Sequence, residues 1–584
     1  MDLYVSSGEL ANLEATLDAA QDPARVETLV ELAWHLRQRE SGRALALVEE
    51  AEAHLPYTPL AVDTVHALQA RIALTVCEIS ALFCRFDTAE ERLADARARL
   101  SRCADPLVEG DAWLAEAVVA KARGQRDREL AAYERGVVVF RTAGDPVRLA
   151  RAKAWAGYER AFTAPAAADA DDGSTGMRPA DTDPACDALW SAARGLMLSR
   201  REPATAADVL LHASEQAQRV GLVRHAVVCT MNAGTALQGL GDYDLAAACF
   251  DLAATVARKT GWPALIGSSQ TRLGWFLKEL GRLEEGRSVL VEGLASLAVT
   301  PAGINKANAN SALAQTLLAL GRGAESVAPM AEAIRMYREA QSTDNLALCL
   351  IGQARALAAA GQSHDALASL DEAETLIERH GFATLTVGVS EALAEIHRLH
   401  ALPPPPGMTA PTATIHYAEA TLRDGLLING WRPPASLYVS LADAWAAAGE
   451  LARAYDYARK ALAVKEQEAA LKLNHPLAVL RLRRESEPMP IGFAGLWKPS
   501  GPLELGDDES AGTSLSSKIL TPKEREILQL LARNFSNKEI AATLEVSDET
   551  VKWHLKNMYN KLKAGSRKHA VTRARTLGVI DFSS

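Results

Sequence analysis

The chain lacks the short motifs that mark most nucleotide-, cofactor- and metal-dependent enzymes. Its 584 residues contain no GxxxxGK[ST] phosphate loop, no GxGxxG followed by an acidic residue and no HExxH zinc helix. Its 13 histidines form no cluster, and its 7 cysteines have no metal-ligand spacing. We therefore expect no catalytic residues, no cofactor and no metal, and we expect the protein not to be an enzyme.

Signals for secretion and membrane insertion are also missing. The first 20 residues, MDLYVSSGELANLEATLDAA, have neither the basic nor the apolar region of a signal peptide, and no run of eighteen apolar residues occurs. An odd number of scattered cysteines is typical of small apolar fillers in a reducing compartment. A redox sensor at Cys77 and Cys84 is the alternative. These features predict a soluble, cytoplasmic protein that does not bind a membrane.

Aromatic residues are scarce, at 5%, whereas alanine and leucine dominate the chain. Four glycines, at 241, 281, 321 and 361, stand 40 residues apart, and each lies between two helical apolar runs. The clearest unit places Gly234, Ala246 and Phe250 at the spacing of the tetratricopeptide (TPR) repeat. Because that repeat has about 34 residues, a 40-residue interval predicts helices about a turn longer than usual.

These repeats predict an all-α, TPR-like solenoid over residues 1–484, with a concave groove for a protein or small-molecule effector. A groove that is only scaffold is the alternative. Residues 165–184 are acidic and proline-flanked and predict a surface loop, and residues 403–411 (PPPPGMTAP) predict a stiff break before the final repeats. Prolines and the run GDDESAGTSLSS predict a flexible linker over residues 485–517.

Residues 518–584 predict a separate domain of four short helices. Thr521, Pro522 and Glu524 form one capping box with a proline at the first helical position, and Ser536 and Glu539 form a second. Each predicted helix has an apolar face, and the faces comprise Ile527, Leu530 and Leu531; Ile540, Ala541 and Leu544; Val551, Leu555, Met558 and Leu562; and Ala570, Ala574 and Leu577. The interval between the second and third helices predicts a helix-turn-helix, whose second helix enters the DNA major groove.

The charge distribution supports this prediction. Residues 518–584 carry 13 Lys+Arg against 7 Asp+Glu, whereas residues 1–517 carry 50 Lys+Arg against 66 Asp+Glu. A basic module on an acidic body is expected where one part binds the phosphate backbone of DNA and the other does not.

The C-terminal segment resembles the LuxR-type (FixJ/NarL-type) DNA-binding domain of bacterial transcriptional regulators. The resemblance lies in LTPKEREIL, SNKEIA, TVKWHLKN and the later KL, AV and LG pairs, which occur in the family's order and spacing. It implies a tetrahelical fold that binds double-stranded DNA as a homodimer. The long repeats, in turn, resemble the solenoid of maltose-regulator-type activators, although the ATP-binding module often found before such repeats is missing.

The resemblance also implies the positions that touch DNA. The family's base-contacting positions fall on Lys552, Trp553 and Lys556. Its phosphate contacts fall near Asn537, Lys538, Thr550 and Lys561, and His554 is expected to pack or to contact phosphate. The family usually pairs through its fourth helix, and here Arg567, His569 and Arg573 are expected on the exposed face of that helix.

The combined prediction is a bacterial, nucleoid-associated transcription factor. A TPR-like domain senses a partner and a LuxR-type domain reads a DNA sequence. The alternative is a TPR adaptor or scaffold with a DNA-anchoring domain. No alternating strand and helix pattern occurs in the N-terminal region, so we expect no phosphoacceptor domain.

Overall fold

The computed structural model describes residues 1–473, except 22, 104, 164–182, 200 and 429–430. It also describes residues 522–574, except 533–534, 545–549, 553, 556–557, 560–563, 565–566, 568–569 and 572–573. Every regular element in these residues is helical. In chain order the helices of the first part are α1 Ser7–Ala19, α2 Ala24–Leu36, α3 Ser41–His54, α4 Val62–Leu82, α5 Phe86–Leu100, α6 Pro106–Ala122, α7 Arg126–Ala143, α8 Pro146–Thr163, α9 Pro184–Leu198, α10 Pro203–Arg219, α11 Val223–Gly239, α12 Tyr243–Thr260, α13 Pro263–Glu279, α14 Leu283–Leu297, α15 Ile304–Ala319, α16 Gly323–Glu339, α17 Thr343–Ala359, α18 Ser363–His380, α19 Thr386–Leu399, α20 Ala413–Gly425, α21 Ala435–Ala447 and α22 Leu451–Leu473.

Most of these helices pack as consecutive hairpins. The pairs are α2–α3, α4–α5, α6–α7, α9–α10, α11–α12, α13–α14, α15–α16, α17–α18, α19–α20 and α21–α22, and α8 packs between α7 and α9. From α11 to α18 each helix has 15 to 18 residues, which confirms the predicted extra turn. The predicted all-α, TPR-like helical-repeat solenoid is therefore confirmed.

The glycines that mark the 40-residue interval stand at the hairpin turns. Gly241, Gly281, Gly321 and Gly361 have φ values of 76°, 77°, 75° and 84°, the left-handed conformation that glycine adopts without a steric penalty. In the α11–α12 turn, the N–H of Asp242 donates to the Leu237 carbonyl at 3.0 Å and closes the helix end. Glycine at this position thus sets both the turn and the repeat length.

A second use of glycine lies where paired helices cross. A Cβ atom on Gly274 of α13 would lie 2.5 Å from Leu290 Cγ and 3.1 Å from the carbonyl oxygen of Gly286, both on α14. Two glycines facing each other therefore allow these helices to approach more closely than larger side chains would permit. Small residues at this crossing thus allow the close packing of paired helices.

The array also folds back on itself, which the repeat pattern did not predict. Leu82, at the end of α4, belongs to the same apolar cluster as Val227 of α11 and Trp262 before α13. The ring of Phe83 lies against Gly261, and the Arg39 guanidinium donates to the Arg219 carbonyl at 3.2 Å. Hairpins separated by about 180 residues are thus in direct contact.

Helix α4 is long and apolar enough to cross a membrane by length and composition alone. In the fold, however, 72% of its most apolar window is buried within the protein, and its side chains Arg71 and Glu78 form ion pairs with neighbouring helices. Its apolar character is therefore explained by its position in the core of the repeat array.

Other sequence predictions have mixed outcomes. Residues 403–411 lie in the non-helical connection within the α19–α20 hairpin, so the break precedes the last hairpin, α21–α22, as predicted, but falls inside a repeat. Almost all of the predicted loop at 165–184, and all of the linker at 485–517, lie outside the described residues. Cys77 is buried and Cys84 is half-buried, and burial raises the pKa of both thiols, which disfavours the reactive thiolate.

Candidate nucleic-acid interface

The C-terminal part begins with helix α23, Pro522–Ala532. A proline at the first helical position costs no hydrogen bond, because the backbone N–H that proline lacks would have no acceptor within the helix. Ile527, Leu528 and Leu531 are fully buried and form one side of a small core. Glu524 is also buried, whereas its predicted capping partner Thr521 lies outside the described residues.

Helix α24, Asn537–Thr543, follows and carries the second predicted capping box. The Glu539 N–H donates to the Ser536 hydroxyl at 3.4 Å, and the Ser536 N–H donates to the Glu539 carboxylate at 2.6 Å. Hydrogen bonds from the Ser536 side chain and backbone lower the pKa of Glu539. The capping box is therefore confirmed, and it fixes the start of the helix before the predicted recognition segment.

The described residues between 550 and 559 are helical. Val551, Leu555 and Met558 are buried and complete the core with Ile540, Ala570 and Ala574. Spacings of four and three place these three side chains on one face of a helix, as the sequence predicts. Leu562 and Leu577, predicted for the same core, lie outside the described residues.

The predicted DNA-contacting residues fall into three groups. Lys538 and Lys552 are exposed. Asn537, Thr550 and His554 are half-buried. Trp553, Lys556 and Lys561 lie outside the described residues. Because Lys552 follows the buried Val551 by one residue, its side chain points about 100° away from the core face.

Arg567 is expected on the exposed face of the fourth helix, but its side chain is half-buried. Its guanidinium donates to the carbonyl of Leu531, in the last turn of α23, and to the carbonyl of Phe535 just beyond it. A cation at a helix C-terminus satisfies carbonyls that have no helical partner and complements the helix dipole. Arg567 therefore joins the end of α23 to the last helical residues of the core.

Together these residues form a small helical core in which a capped short helix precedes a second helix with an exposed lysine beside its buried face. This is the arrangement of a helix-turn-helix nucleic-acid-binding domain. Residues 518–574 match the family described as bacterial regulatory proteins, luxR family. The C-terminal domain is therefore a LuxR-family DNA-binding domain, as its sequence motifs indicate.

Two curated relatives match the chain over this domain. The nitrate/nitrite response regulator protein NarL of Escherichia coli (strain K12) is 49% identical over 60 residues, which are 10% of this chain and 28% of NarL. The HTH-type transcriptional regulator MalT of Vibrio cholerae is 43% identical over 58 residues, which are 10% of this chain and 6% of MalT. The chain thus matches less than a third of the length of these curated relatives.

Among solved structures, the chain is similar to a Rap protein complexed with competence and sporulation factor. The identity is 11% and the TM-score 0.41, over 69% of this chain and 99% of the Rap chain.

Proposed function

We propose that this protein is a bacterial, cytoplasmic transcriptional regulator that binds a specific double-stranded DNA sequence and senses a protein or small-molecule partner through its TPR-like solenoid. The observation that carries the proposal is the exposed Lys552, placed by the buried Val551 and Leu555 on the helix that follows the capped α24. Of the curated relatives of this domain, MalT is described as an HTH-type transcriptional regulator and NarL as a nitrate/nitrite response regulator. The balance of 13 basic to 7 acidic residues over 518–584 favours attraction to phosphate.

Within this proposal, Lys552 reads bases and Lys538 positions the domain on the backbone. A lysine in the major groove donates to guanine O6 and N7, so its loss affects one operator position more than others. A lysine on phosphate contributes equally to all sequences and to the salt dependence of binding. Lys552 and Lys538 therefore make different, measurable contributions.

The test begins with genome-wide binding of the full chain, which supplies an operator, followed by titrations of operator and scrambled duplexes at several salt concentrations. Lys552→Ala is expected to lose about 1–3 kcal/mol of discrimination at one base pair. Lys538→Ala is expected to weaken both duplexes alike and to reduce the salt slope by about 1. Lys153→Ala, an exposed lysine of α8, is the matched control and leaves both affinities unchanged.

Equal losses on both duplexes for Lys552→Ala would contradict direct base readout by this residue. Salt-dependent affinity of the unmodified chain without any preferred sequence would favour the alternative function, an adaptor whose basic domain anchors it to DNA. The sequence preference of the unmodified chain therefore distinguishes the two functions, and the Lys552→Ala variant tests only the base contact.

Regulation follows from the joining of two different modules. A single helix-turn-helix domain buries little DNA surface, so useful affinity requires two copies at half-site spacing. A partner that binds one solenoid conformation better than another shifts the population toward the DNA-competent dimer. We expect two chains per operator, measured by analytical ultracentrifugation of the complex. One chain per operator would contradict the homodimer.

A further inference from the structure

Residues Met1–Val5 form a non-helical segment, bent at Leu3 and Tyr4, that is held inside the fold. They are not helical, and Ser6, which follows them, caps α1 through its hydroxyl and Glu9. Leu3 is only 1% exposed and Val5 only 7%. Leu3 belongs to the apolar cluster that contains Trp34 and Leu74. This segment contributes no helix to the repeats around it, yet it buries two apolar side chains among them. It is therefore held in the way that a protein holds a bound peptide.

Side chains of distant helices bind the backbone of this segment. Trp34 Nε1 donates to the Asp2 carbonyl at 3.2 Å, and the Arg148 guanidinium donates to the Met1 carbonyl. The Arg39 guanidinium donates to the Val5 carbonyl at 2.6 Å. Since every residue has a carbonyl, such donors hold a non-helical chain whatever its sequence, and side-chain pockets supply the selectivity.

Tyr4 occupies the most specific part of the site. Its hydroxyl accepts a hydrogen bond from Trp155 Nε1 at 3.1 Å. The guanidinium carbons of Arg37 and Arg151 lie 5.6 and 5.5 Å from the centre of its ring, within the range of cation–π attraction. Burial raises the pKa of Tyr4 to about 12, so the hydroxyl stays protonated.

The two arginines beside Tyr4 are each held in place by an ion pair. Arg37 donates to Glu78 at 2.7 Å, and Arg151 donates to both oxygens of Asp183 at 3.0 and 2.7 Å. These contacts do not involve Met1–Val5, so they orient the two guanidiniums independently of the segment. A site whose donors are already positioned binds its ligand at a lower entropic cost.

Arg39 shows how closely the surrounding helices are fitted to this arrangement. Besides the Val5 carbonyl, it donates to the Ser7 hydroxyl at 3.1 Å and to the Arg219 carbonyl. Gly221, just after α10, has a φ of 76°, and a Cβ there would lie 2.1 Å from Arg39 Nε. The segment therefore lies where α2, α8 and the end of α10 converge, three elements far apart in sequence.

We propose that the residues around this segment form a channel that binds a short non-helical peptide in which an apolar residue is followed by an aromatic one, and that Met1–Val5 occupies it in cis. The channel is defined by Trp34, Arg37, Arg39, Arg148, Arg151 and Trp155. The inference deepens the sensing half of the proposed function by naming the class of ligand, and it rests on that function only for the regulatory consequence. Because the segment is tethered at Ser6, its effective concentration at the site is on the order of millimolar. A peptide in trans exchanges with it through the same kinds of contact.

The test uses two forms of the full chain that lack the tethered segment. One begins at Ser6, and the other contains a specific protease site inserted between Val5 and Ser6 and is cut after folding. The probe is the synthetic peptide Met-Asp-Leu-Tyr-Val with fluorescein at its C-terminal end, followed by fluorescence anisotropy. Both forms are expected to bind it saturably. If the affinity is about 10 μM, a millimolar tethered competitor weakens binding to the uncut chain about 100-fold.

Variants separate this site from general adhesion. A probe with aspartate in place of leucine is expected to bind the shortened chain at least tenfold more weakly. The original probe is expected to bind the shortened chain with Arg39→Met at least tenfold more weakly as well. The control is Arg335→Ala in the shortened chain, since Arg335 is exposed and, among the described residues, forms ion pairs with Glu332 and Glu339 of its own helix. This control is expected to bind the probe unchanged.

Failure of both shortened forms to bind the probe, while circular dichroism shows intact helices, would overturn the proposal. Unfolding of both forms would also overturn it, since the segment would then be a structural part of the core. Operator binding is measured on the same chains. Loss of DNA recognition with intact probe binding contradicts the proposed DNA function alone, and the reverse result contradicts the channel alone.

Discussion

Two ion pairs join successive repeats at the same distance but in different surroundings. Arg71 of α4 and Asp111 of α6 approach to 2.6 Å, with side chains 4% and 0% exposed. Arg338 of α16 and Glu372 of α18 also approach to 2.6 Å, with side chains 56% and 45% exposed. The pairs therefore allow the effect of burial to be separated from that of distance, by the substitutions Asp111→Ala and Glu372→Ala.

The expected losses differ several-fold. Asp111→Ala leaves the buried Arg71 without its carboxylate, and removing one partner of a buried pair costs about 3–5 kcal/mol. Arg148, which donates to Asp111 at 3.4 Å, retains Asp145 and the Met1 carbonyl, so most of the cost comes from Arg71. Glu372→Ala removes an exposed pair, which contributes about 0–1 kcal/mol because water screens the charges.

Hydrogen–deuterium exchange read by mass spectrometry is the suitable assay, because repeat proteins open locally and global unfolding averages over many hairpins. The opening free energy of peptides from α4 and α6 is expected to fall by several kcal/mol in Asp111→Ala. Peptides from α16 and α18 are expected to change by less than about 1 kcal/mol in Glu372→Ala.

Replacing both members of the buried pair provides the control for lost charge. Arg71→Met combined with Asp111→Leu is expected to recover most of the loss, since apolar residues of similar volume need no charged partner. Equal effects of the two single substitutions, or a double variant as unstable as Asp111→Ala, would refute the argument from burial.

The remaining predictions concern one titrating side chain and one helix end. Burial lowers the pKa of His225 to about 4 from 6.5, so the unfolded chain binds more protons between these values and stability falls as the pH drops through that window. Urea unfolding should show a loss of about 2 kcal/mol between pH 7 and pH 5. His225→Phe should remove this pH dependence except for the part due to His35, whose pKa burial also lowers. Arg567→Ala removes the donor to the Leu531 and Phe535 carbonyls, so the opening free energy of α23, measured by hydrogen exchange, should fall by about 1–2 kcal/mol. Lys538→Ala should leave this opening free energy unchanged.

Local patterns in the sequence predict local features of this protein well. The capping box of Ser536 and Glu539, the left-handed turn at Gly241 and the buried face of Val551 and Leu555 all depend on residues a few positions apart. Their physical causes, capping hydrogen bonds, steric freedom at glycine and helical periodicity, act within one or two turns of chain. Sequence motifs alone therefore identified the LuxR-type domain, and the 40-residue interval identified the repeats.

The role of Arg567 shows where such patterns end. Its position in a basic helical stretch predicts an exposed side chain, yet it contacts carbonyls more than 30 residues away in sequence. Which face of a helix meets a neighbouring helix end depends on how the helices cross, and the crossing is set by packing of the whole core.

By itself, the sequence determined the fold class, the repeat length and the DNA-binding family, because each is encoded in spacings of a few residues or in a recurring interval. Tertiary structure alone decided that Met1–Val5 lies between Trp34, Arg148 and Trp155, and that Arg39 meets Arg219. Small rotations between successive hairpins add up along a solenoid, so contacts between distant repeats depend on all the packing angles together. No short stretch of sequence specifies the accumulated rotation, and the channel around Met1–Val5 depends on that rotation.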